Sequence, residues 1–304
     1  MTAHANRLTP ATAALLLIPP LMWAGNAIVG RLMQGSVPPI TFNFLRWVLA
    51  LVMLLPLAAW VLSPRSPVWR HGRRFALLGL LSVALYNALQ YMALKTSTPI
   101  NVTLVAASMP VWMLAVGALF FGEKPRPRQL AGVATVLTRG DWQQLRSLQL
   151  VPGDAWMLAA AITWAAYSWL LARPAPSSEP AEVRRDWAAF LLAQVAFGLV
   201  WSGAMTAGEW ALLPTLPEGQ SHLQWGWPLA LALLYVAVGP SLLAYRAWGA
   251  GVARVGPTTA GFFSNLTPLF AALMSATLLG EPPHLYHAAG FVLIVGGILV
   301  SSRR

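Results

Sequence analysis

Apolar residues run in long blocks along most of this chain, and polar residues are confined to short gaps between them. A helix rises about 1.5 Å per residue, so roughly 20 apolar residues cross about 30 Å of hydrocarbon. The pattern predicts ten spans. The first covers 11–30 and carries Pro19 and Pro20, the second covers 39–62 with Pro56 inside it, and the third covers 75–94. The fourth, 99–121, and a short fifth, 127–139, follow. The remaining five lie at 154–172, 187–207, 227–249, 257–279 and 285–302. The longest polar gaps, 174–186 and 208–224, contain Pro, Ser and Glu and read as solvated connections.

One stretch occurs twice. A shift of 158 residues superposes 99–132 on 257–290 without a gap, and eight of the 34 aligned positions are identical. They are Pro99/Pro257, Pro110/Pro268, Ala118/Ala276, Gly122/Gly280, Glu123/Glu281, Pro125/Pro283, Ala131/Ala289 and Gly132/Gly290. Each copy reads as an apolar helix with a proline inside it, a tight Gly-Glu loop and a second apolar helix. With a different offset, LMWAGNAIVGRL of the first span resembles ITWAAYSWLLAR of the sixth, which sets Trp23 beside Trp164. A repeat of about half the chain means two related halves. The division falls near 141–153, giving one half at 1–150 and the other at 151–304.

Composition and charge sharpen this picture. Of 304 residues, 57% are hydrophobic and only 10% charged, whereas soluble domains carry about 25% charged residues. There is no cysteine, hence no disulfide framework or thiolate chemistry. The net charge of +11 does not point to nucleic acid, because the basic residues sit in short loops between spans. With the N-terminus in the cytoplasm, fourteen of the twenty Lys and Arg fall in cytoplasmic segments and four on the other side. Two more, Arg46 and Arg246, lie within spans. That bias puts both termini inside and requires an even number of spans. Five spans per half is odd, so the halves run in opposite senses. The expected fold is an all-α membrane protein, with ten transmembrane helices as two inverted five-helix repeats around a central cavity. The N-terminus lacks a strong basic n-region and a small-x-small cleavage site, and reads as a retained first helix.

The duplicated Pro…Gly-Glu…Gly pattern, the Trp-Ala of the first and sixth spans and FLRWVLA of the second are similar to the EamA-type drug/metabolite transporters. The resemblance covers nearly the whole chain. It implies export of a small molecule through a cavity between the halves, by alternating access.

Substrate sites in repeat transporters lie near the bilayer midplane, where the halves meet. Polar groups there are candidates, because burying them in lipid without partners is unfavourable. The third span carries Tyr86, Asn87, Gln90 and Tyr91 as a stripe at helical spacing. Trp23 and Asn26 share a face of the first span, and Trp164, Tyr167 and Ser168 share one on the sixth. Asn101, Ser108 and Trp112 do so on the fourth, and Phe262 and Asn265 precede Pro268 on the ninth. Together these make an aromatic-walled cavity with a few hydrogen-bonding groups, the usual make-up of a small-molecule site. The competing reading is structural. Trp and Tyr form belts at membrane interfaces, as expected for Trp69, Trp142, Trp210, Trp225 and Trp227. Asn and Ser also bridge helices. Arg46 has two readings, a partner for a substrate carboxylate or a structural group that caps a helix or snorkels. The structural one is favoured, because similar FLRW motifs recur in the family across unrelated substrates. Pro110 and Pro268 permit equivalent kinks in the two copies, either as gates or as static bends.

Absences bear on mechanism. None of the nine acidic residues lies in the middle of a predicted span, and the five histidines fall in loops or near span ends. Proton-coupled carriers usually bury an ionisable group of that kind, so the expectation is facilitated transport. A broad exporter of cationic drugs is the alternative, weakened by the lack of a central carboxylate. A membrane-embedded enzyme would need a catalytic cluster at one face, and no such cluster is legible. The expected partners are a small amphipathic substrate and membrane lipid, with no nucleic acid, cofactor or metal, and the chain is expected to act as a monomer. Amino acids are the favoured substrates, aromatic ones above all, because Trp and Tyr stack on flat side chains. The expected location is the bacterial inner membrane. Antiparallel halves predict that labels placed beside Glu123 and Glu281 are reached from opposite faces of the membrane. Labelling of both by one impermeant reagent applied to one face overturns that topology.

Overall fold

The computed structural model describes residues 8–124, 151–175, 177–215, 217 and 221–278. Among these, every regular element is helical. Seven stretches are long and apolar enough to cross a membrane: α1 (Pro10–Leu32), α2 (Pro39–Leu62), α3 (Pro67–Ala93), α4 (Pro99–Phe120), α5 (Pro152–Ala172), α6 (Trp187–Leu212) and α7 (Trp227–Met274). The 48 residues of α7 are broken at Gly256, whose φ of 80° and ψ of 161° are not helical. Its two arms, 227–255 and 257–274, cover the expected eighth and ninth spans, and the first runs past the expected end at Gly249. The expected fifth and tenth spans lie outside the described residues, as do Glu281, Trp142 and most of the expected division at 141–153.

The helix starts follow from the sequence. Six of the seven stretches open with proline at the first or second helical position: Pro10, Pro39, Pro67, Pro99, Pro152 and Pro228. Proline lacks an N–H where none has a helical acceptor, and its φ is already helical. α6 instead starts at Asp186, whose carboxylate accepts from the backbone N–H of Ala188 (2.9 Å) and Ala189 (3.3 Å). α2 has no side-chain cap of its own. Glu209, at the far end of α6, supplies one by accepting from the N–H of Ile40 (2.9 Å) and Thr41 (2.7 Å) and from Thr41 Oγ1 (2.8 Å).

Packing is reciprocal. α1 lies against both arms of α7, α5 lies against α3 and α4, and α2 lies along α6. α3 and α6 meet backbone to backbone at Gly79 and Gly198. A Cβ on Gly79 would stand 2.5 Å from Gln194 O and 2.6 Å from Gly198 N, so only glycine permits the approach. At one end of the bundle Ser36 O accepts from Gln224 N (2.8 Å), and Asp154 accepts from Ser97 and Asn101. At the other end Arg74 pairs with Glu179 (2.7 Å), Arg173 pairs with Glu123 and the His71 ring meets Ser177 O. These are called the Ser36 end and the Glu179 end. Trp69, Trp210, Trp225 and Trp227 are exposed, in keeping with interfacial belts.

Two matched pairs of irregularities also interrupt the helices. α3 is π-helical over Leu80–Tyr86, and α7 is π-helical over Ala237–Leu243. α4 ends one helix at Ala106 and restarts at Met109, while the second arm of α7 passes through a 3-10 turn, Ser264–Leu266, before restarting at Thr267. Pro110 and Pro268 are each the second residue after the restart. This corrects the expectation of mid-helix prolines. Each opens a new segment, because its ring clashes with the preceding turn and it offers no donor to it.

Removing the Glu209 carboxylate leaves the start of α2 uncapped. Glu209→Ala is expected to cost about 1–2 kcal/mol, read as a lower thermal unfolding midpoint in detergent. An unchanged midpoint counts against this cap.

Candidate functional site

The centre of the bundle is a closed cluster of rings. Trp23 of α1 meets Trp164 of α5 edge-on at 5.1 Å between centroids, and Tyr86 of α3 lies 4.5 Å from Trp164. Tyr167, Tyr245 and Trp248 surround the same indole at 4.9, 5.1 and 5.6 Å. Trp164 is fully buried. Edge-to-face and offset contacts of this kind each contribute about 0.5–1.5 kcal/mol beyond burial. The indole N–H of Trp248 donates to Ser168 Oγ (3.0 Å), which donates to Trp164 O (2.8 Å). The indole N–H groups of Trp23 and Trp164 have no partner among the described residues. An unmade bond of this sort costs about 1–3 kcal/mol.

Beside the rings lies a polar network centred on Arg46 of α2, whose side chain is 0% exposed. Its Nε and Nη2 donate to Ser241 Oγ at 2.9 and 2.7 Å. Its Nη1 donates to Asn26 Oδ1 (3.1 Å), Asn87 Oδ1 (3.0 Å) and Tyr91 Oη (2.8 Å), two hydrogens shared among three acceptors. Asn26 Nδ2 donates to Gln90 Oε1 (2.8 Å), and Tyr91 Oη donates to Asn26 Oδ1 (2.6 Å). Asn87 Nδ2 donates to Tyr245 Oη (3.0 Å). Trp47 and Tyr91 flank the guanidinium at 5.3 and 5.9 Å, within cation–π range. Taking a charge out of water costs several kcal/mol. Five bonds to neutral oxygens, together with the ring faces, offset that cost.

The two π segments frame this network. A π turn departs from the regular i→i−4 ladder, and backbone groups freed inside lipid need side-chain partners. In α3, Ser82 O accepts from Asn87 Nδ2 (3.0 Å) and Tyr245 Oη (2.6 Å), and Val83 O accepts from Asn43 Nδ2 (3.0 Å). In α7, Val236 O accepts from Ser241 Oγ (2.7 Å). Two of the side chains that repair the ladder, Asn87 and Ser241, also hold Arg46.

Two cavities approach from opposite ends. One of about 200 Å³ opens near the Ser36 end and is bounded by Met33, Gln34, Phe42, Tyr91 and Lys95, among others. The other, about 280 Å³, opens near the Glu179 end and is bounded by Tyr167, Arg184, Arg185, Gln194, Tyr245 and Arg246, among others. Arg246 lies over the Trp187 ring at 4.5 Å. Gln194 is buried, and its Oε1 has no partner among the described residues.

The structure brings Trp23, Tyr86, Trp164 and Tyr167 into one ring cluster and joins Asn26 and Gln90 to Arg46. Ser168 touches the cluster through Trp248. In place of the expected aromatic-walled hollow, these rings fill the centre against one another. Ser108 and Trp112 bond to each other (3.1 Å) rather than to the cluster. Phe262 is buried, and the Asn265 Oδ1 beside it has no partner among the described residues, near the seam where the second arm of α7 meets Pro110 and Met113. Asn101 belongs to the Asp154 contact at the Ser36 end (2.7 Å). Trp47, Ser241 and Trp248 enter the site without having been singled out. The shift of 158 residues that pairs Pro110 with Pro268 also pairs Asn87 with Tyr245 and Gln90 with Trp248, which was the available signal. Ser241 carries none beyond its neighbour Pro240.

Long apolar helices packed around a polar and aromatic centre define a multi-pass membrane protein. The sequence model of the EamA-like transporter family matches the chain twice, over residues 11–138 and 151–303, and the chain belongs to that family. It is 26% identical over 303 residues to the "Probable amino-acid metabolite efflux pump" of Salmonella typhimurium, covering 95% of this chain and 93% of the relative. It is 27% identical over 295 residues to the "Aromatic amino acid exporter YddG" of Ancylobacter novellus, covering 93% of each. A solved structure 22% identical in sequence superposes with a TM-score of 0.67, over 96% of this chain and 97% of the other. That likeness bears on the fold alone.

Asn26 serves three partners, Arg46, Tyr91 and Gln90, whereas Gln90 serves Asn26 in this network. Asn26→Leu is therefore expected to lower the unfolding midpoint in detergent more than Gln90→Leu, each stranded buried group costing about 1–3 kcal/mol. Equal effects would show that the network does not branch at Asn26.

Proposed function

We propose that this protein exports amino acids and related amphipathic metabolites across the bacterial inner membrane, aromatic amino acids above all, by alternating access. The observation that carries the reading is the meeting of Trp23 and Trp164, from the first helix of each half, in a ring cluster between two opposed cavities. Flat rings that pack on each other also pack on a flat substrate once they part. The names of the Salmonella and Ancylobacter relatives support the substrate class.

The reading includes ten spans in two inverted five-helix halves, 1–150 and 151–304. Reciprocal packing supports it, since α1 crosses to the arms of α7 while α5 crosses to α3 and α4. The matched π segments and the matched restarts before Pro110 and Pro268 support it as well. The excess of basic residues at the Glu179 end favours that end, and with it both termini, as cytoplasmic. Of the sequence candidates, Trp23, Tyr86, Trp164 and Tyr167 would line the path for the ring. Asn26, Gln90 and Ser168 would supply its polar contacts, and the seam at Ser108, Trp112, Phe262 and Asn265 would flex at Pro110 and Pro268.

Transport is proposed to be facilitative. Glu123, Asp154, Glu179, Asp186 and Glu209 are each engaged at an end of the bundle, in ion pairs or helix caps, Asp154 by accepting from Val151 N. A cationic drug path is disfavoured because it would pass the Arg46 charge. Liposomes holding the purified protein are expected to take up tryptophan or phenylalanine down a gradient, with no uphill accumulation when a proton gradient is imposed. Uptake of no neutral amino acid overturns the substrate class, and proton-driven accumulation overturns the facilitative mechanism.

A further inference from the structure

The Arg46 guanidinium is buried, and its partners among the described residues are all neutral. No carboxylate among the described residues comes within 4 Å of it in an ion pair. Its Nε–Nη2 edge is the face that a carboxylate takes with two oxygens, one per N–H. Here a single hydroxyl, Ser241 Oγ, occupies both positions, at 2.9 and 2.7 Å. Ser241 rides on the π segment Ala237–Leu243, the least regular part of α7's first arm. The indole N–H of Trp47, the ring beside the guanidinium, is buried and has no partner among the described residues.

One side chain separates this charge from the cavity at the Ser36 end, and two separate it from the cavity at the Glu179 end. The ring of Tyr91 lines the cavity at the Ser36 end, and its hydroxyl accepts from Arg46 Nη1 at 2.8 Å. The ring of Tyr245 lines the cavity at the Glu179 end, and its hydroxyl accepts from Asn87, whose own oxygen accepts from Arg46 Nη1. Tyr245 also contacts Trp47 at 5.0 Å between centroids. A ligand entering from the Ser36 end meets Tyr91 and then the cation, and one entering from the Glu179 end meets Tyr245 and then Asn87, with indole and phenol faces alongside.

We propose that Arg46 is the seat of the substrate carboxylate, for which Ser241 stands in when the seat is empty, and that Tyr91 and Tyr245 separate it from the two ends. The substrates are then amphipathic carboxylates, zwitterionic amino acids included, and the matching amides and amines are refused. The carboxylate forms two charge-assisted bonds on the Nε–Nη2 edge, and Ser241 keeps its bond to Val236 O. This deepens the exporter reading and rests on it for the word substrate.

Competition against labelled tryptophan, in liposomes holding the wild-type protein, tests the seat with three indoles. Indole-3-propionate keeps the carboxylate and lacks the amine, whereas tryptophanamide and tryptamine keep the amine and lack the carboxylate. Indole-3-propionate is expected to compete nearly as well as tryptophan, and the other two about tenfold or more weakly, as one lost charge-assisted contact implies. Arg46→Gln is expected to abolish that discrimination and Arg46→Lys to retain part of it. Equal competition by acid and amide in the wild type, or an undiminished ratio in Arg46→Gln, overturns the proposal. Should Arg46→Gln fail to fold, the wild-type ratio decides alone. If the wild type moves no amino acid, the exporter reading falls and the seat is judged by thermal shift in detergent. Indole-3-propionate must then stabilise the protein more than its own amide does, and equal or absent shifts overturn the seat.

Discussion

A guanidinium placed inside an apolar bundle must find enough oxygen atoms or forfeit several kcal/mol of hydration, and much of the interior answers to that demand. Arg46 on α2 is met by Asn26 on α1, Asn87 and Tyr91 on α3, and Ser241 on α7. Four helices are thereby held in one register by a single side chain. Lipid tails are as apolar as the helix surfaces they touch, so helix association in a bilayer gains little from hydrophobic burial. Packing and buried hydrogen bonds must supply specificity instead. The network around Arg46 does this in the middle of the bundle, and the Gly79–Gly198 approach does it between α3 and α6.

The same demand explains where the helices are irregular. A π turn frees backbone carbonyls, which lipid cannot satisfy. Both π segments lie next to side chains able to reach them, Asn43, Asn87 and Tyr245 for α3 and Ser241 for α7. Asn87 and Ser241 then have a second role as acceptors for Arg46. Irregular backbone and buried charge are therefore one arrangement, and altering either disturbs the other. The restarts before Pro110 and Pro268 lie elsewhere, at the seam between α4 and the second arm of α7. There Ser264 Oγ meets Met109 Sδ at 3.5 Å, a weak contact compared with those around Arg46.

Rings and polar groups divide the centre between them. The rings supply area and shape with little demand for hydrogen bonds, apart from the indole N–H groups of Trp23 and Trp164, which have no partner among the described residues. The polar groups supply direction. Tyr245 belongs to both, with its ring against Trp164 and Trp47 and its hydroxyl on Asn87 and Ser82 O. Movement of this one side chain would alter the ring cluster, the Arg46 network and the cavity at the Glu179 end together.

The amino-acid sequence by itself determined the existence and order of the described spans, because hydropathy is local and most apolar runs are bounded by proline or charge. The expected start of the third falls eight residues late, and the expected ends of the seventh and eighth fall five and six residues short. It determined the duplication, since Pro110 and Pro268 stand at one offset. It also marked Trp23, Tyr86, Asn26, Gln90 and Trp164 as unusual, because polar and aromatic groups inside a span are legible without knowing their partners. The tertiary structure decided who those partners are. Arg46 and Ser241 lie 195 residues apart, and no periodicity carries a signal across that distance. It also decided that the rings close on one another instead of enclosing a hollow, and that two helices widen into π turns. Those outcomes depend on how neighbouring helices lean and approach, which is a property of the assembled bundle and not of any one segment.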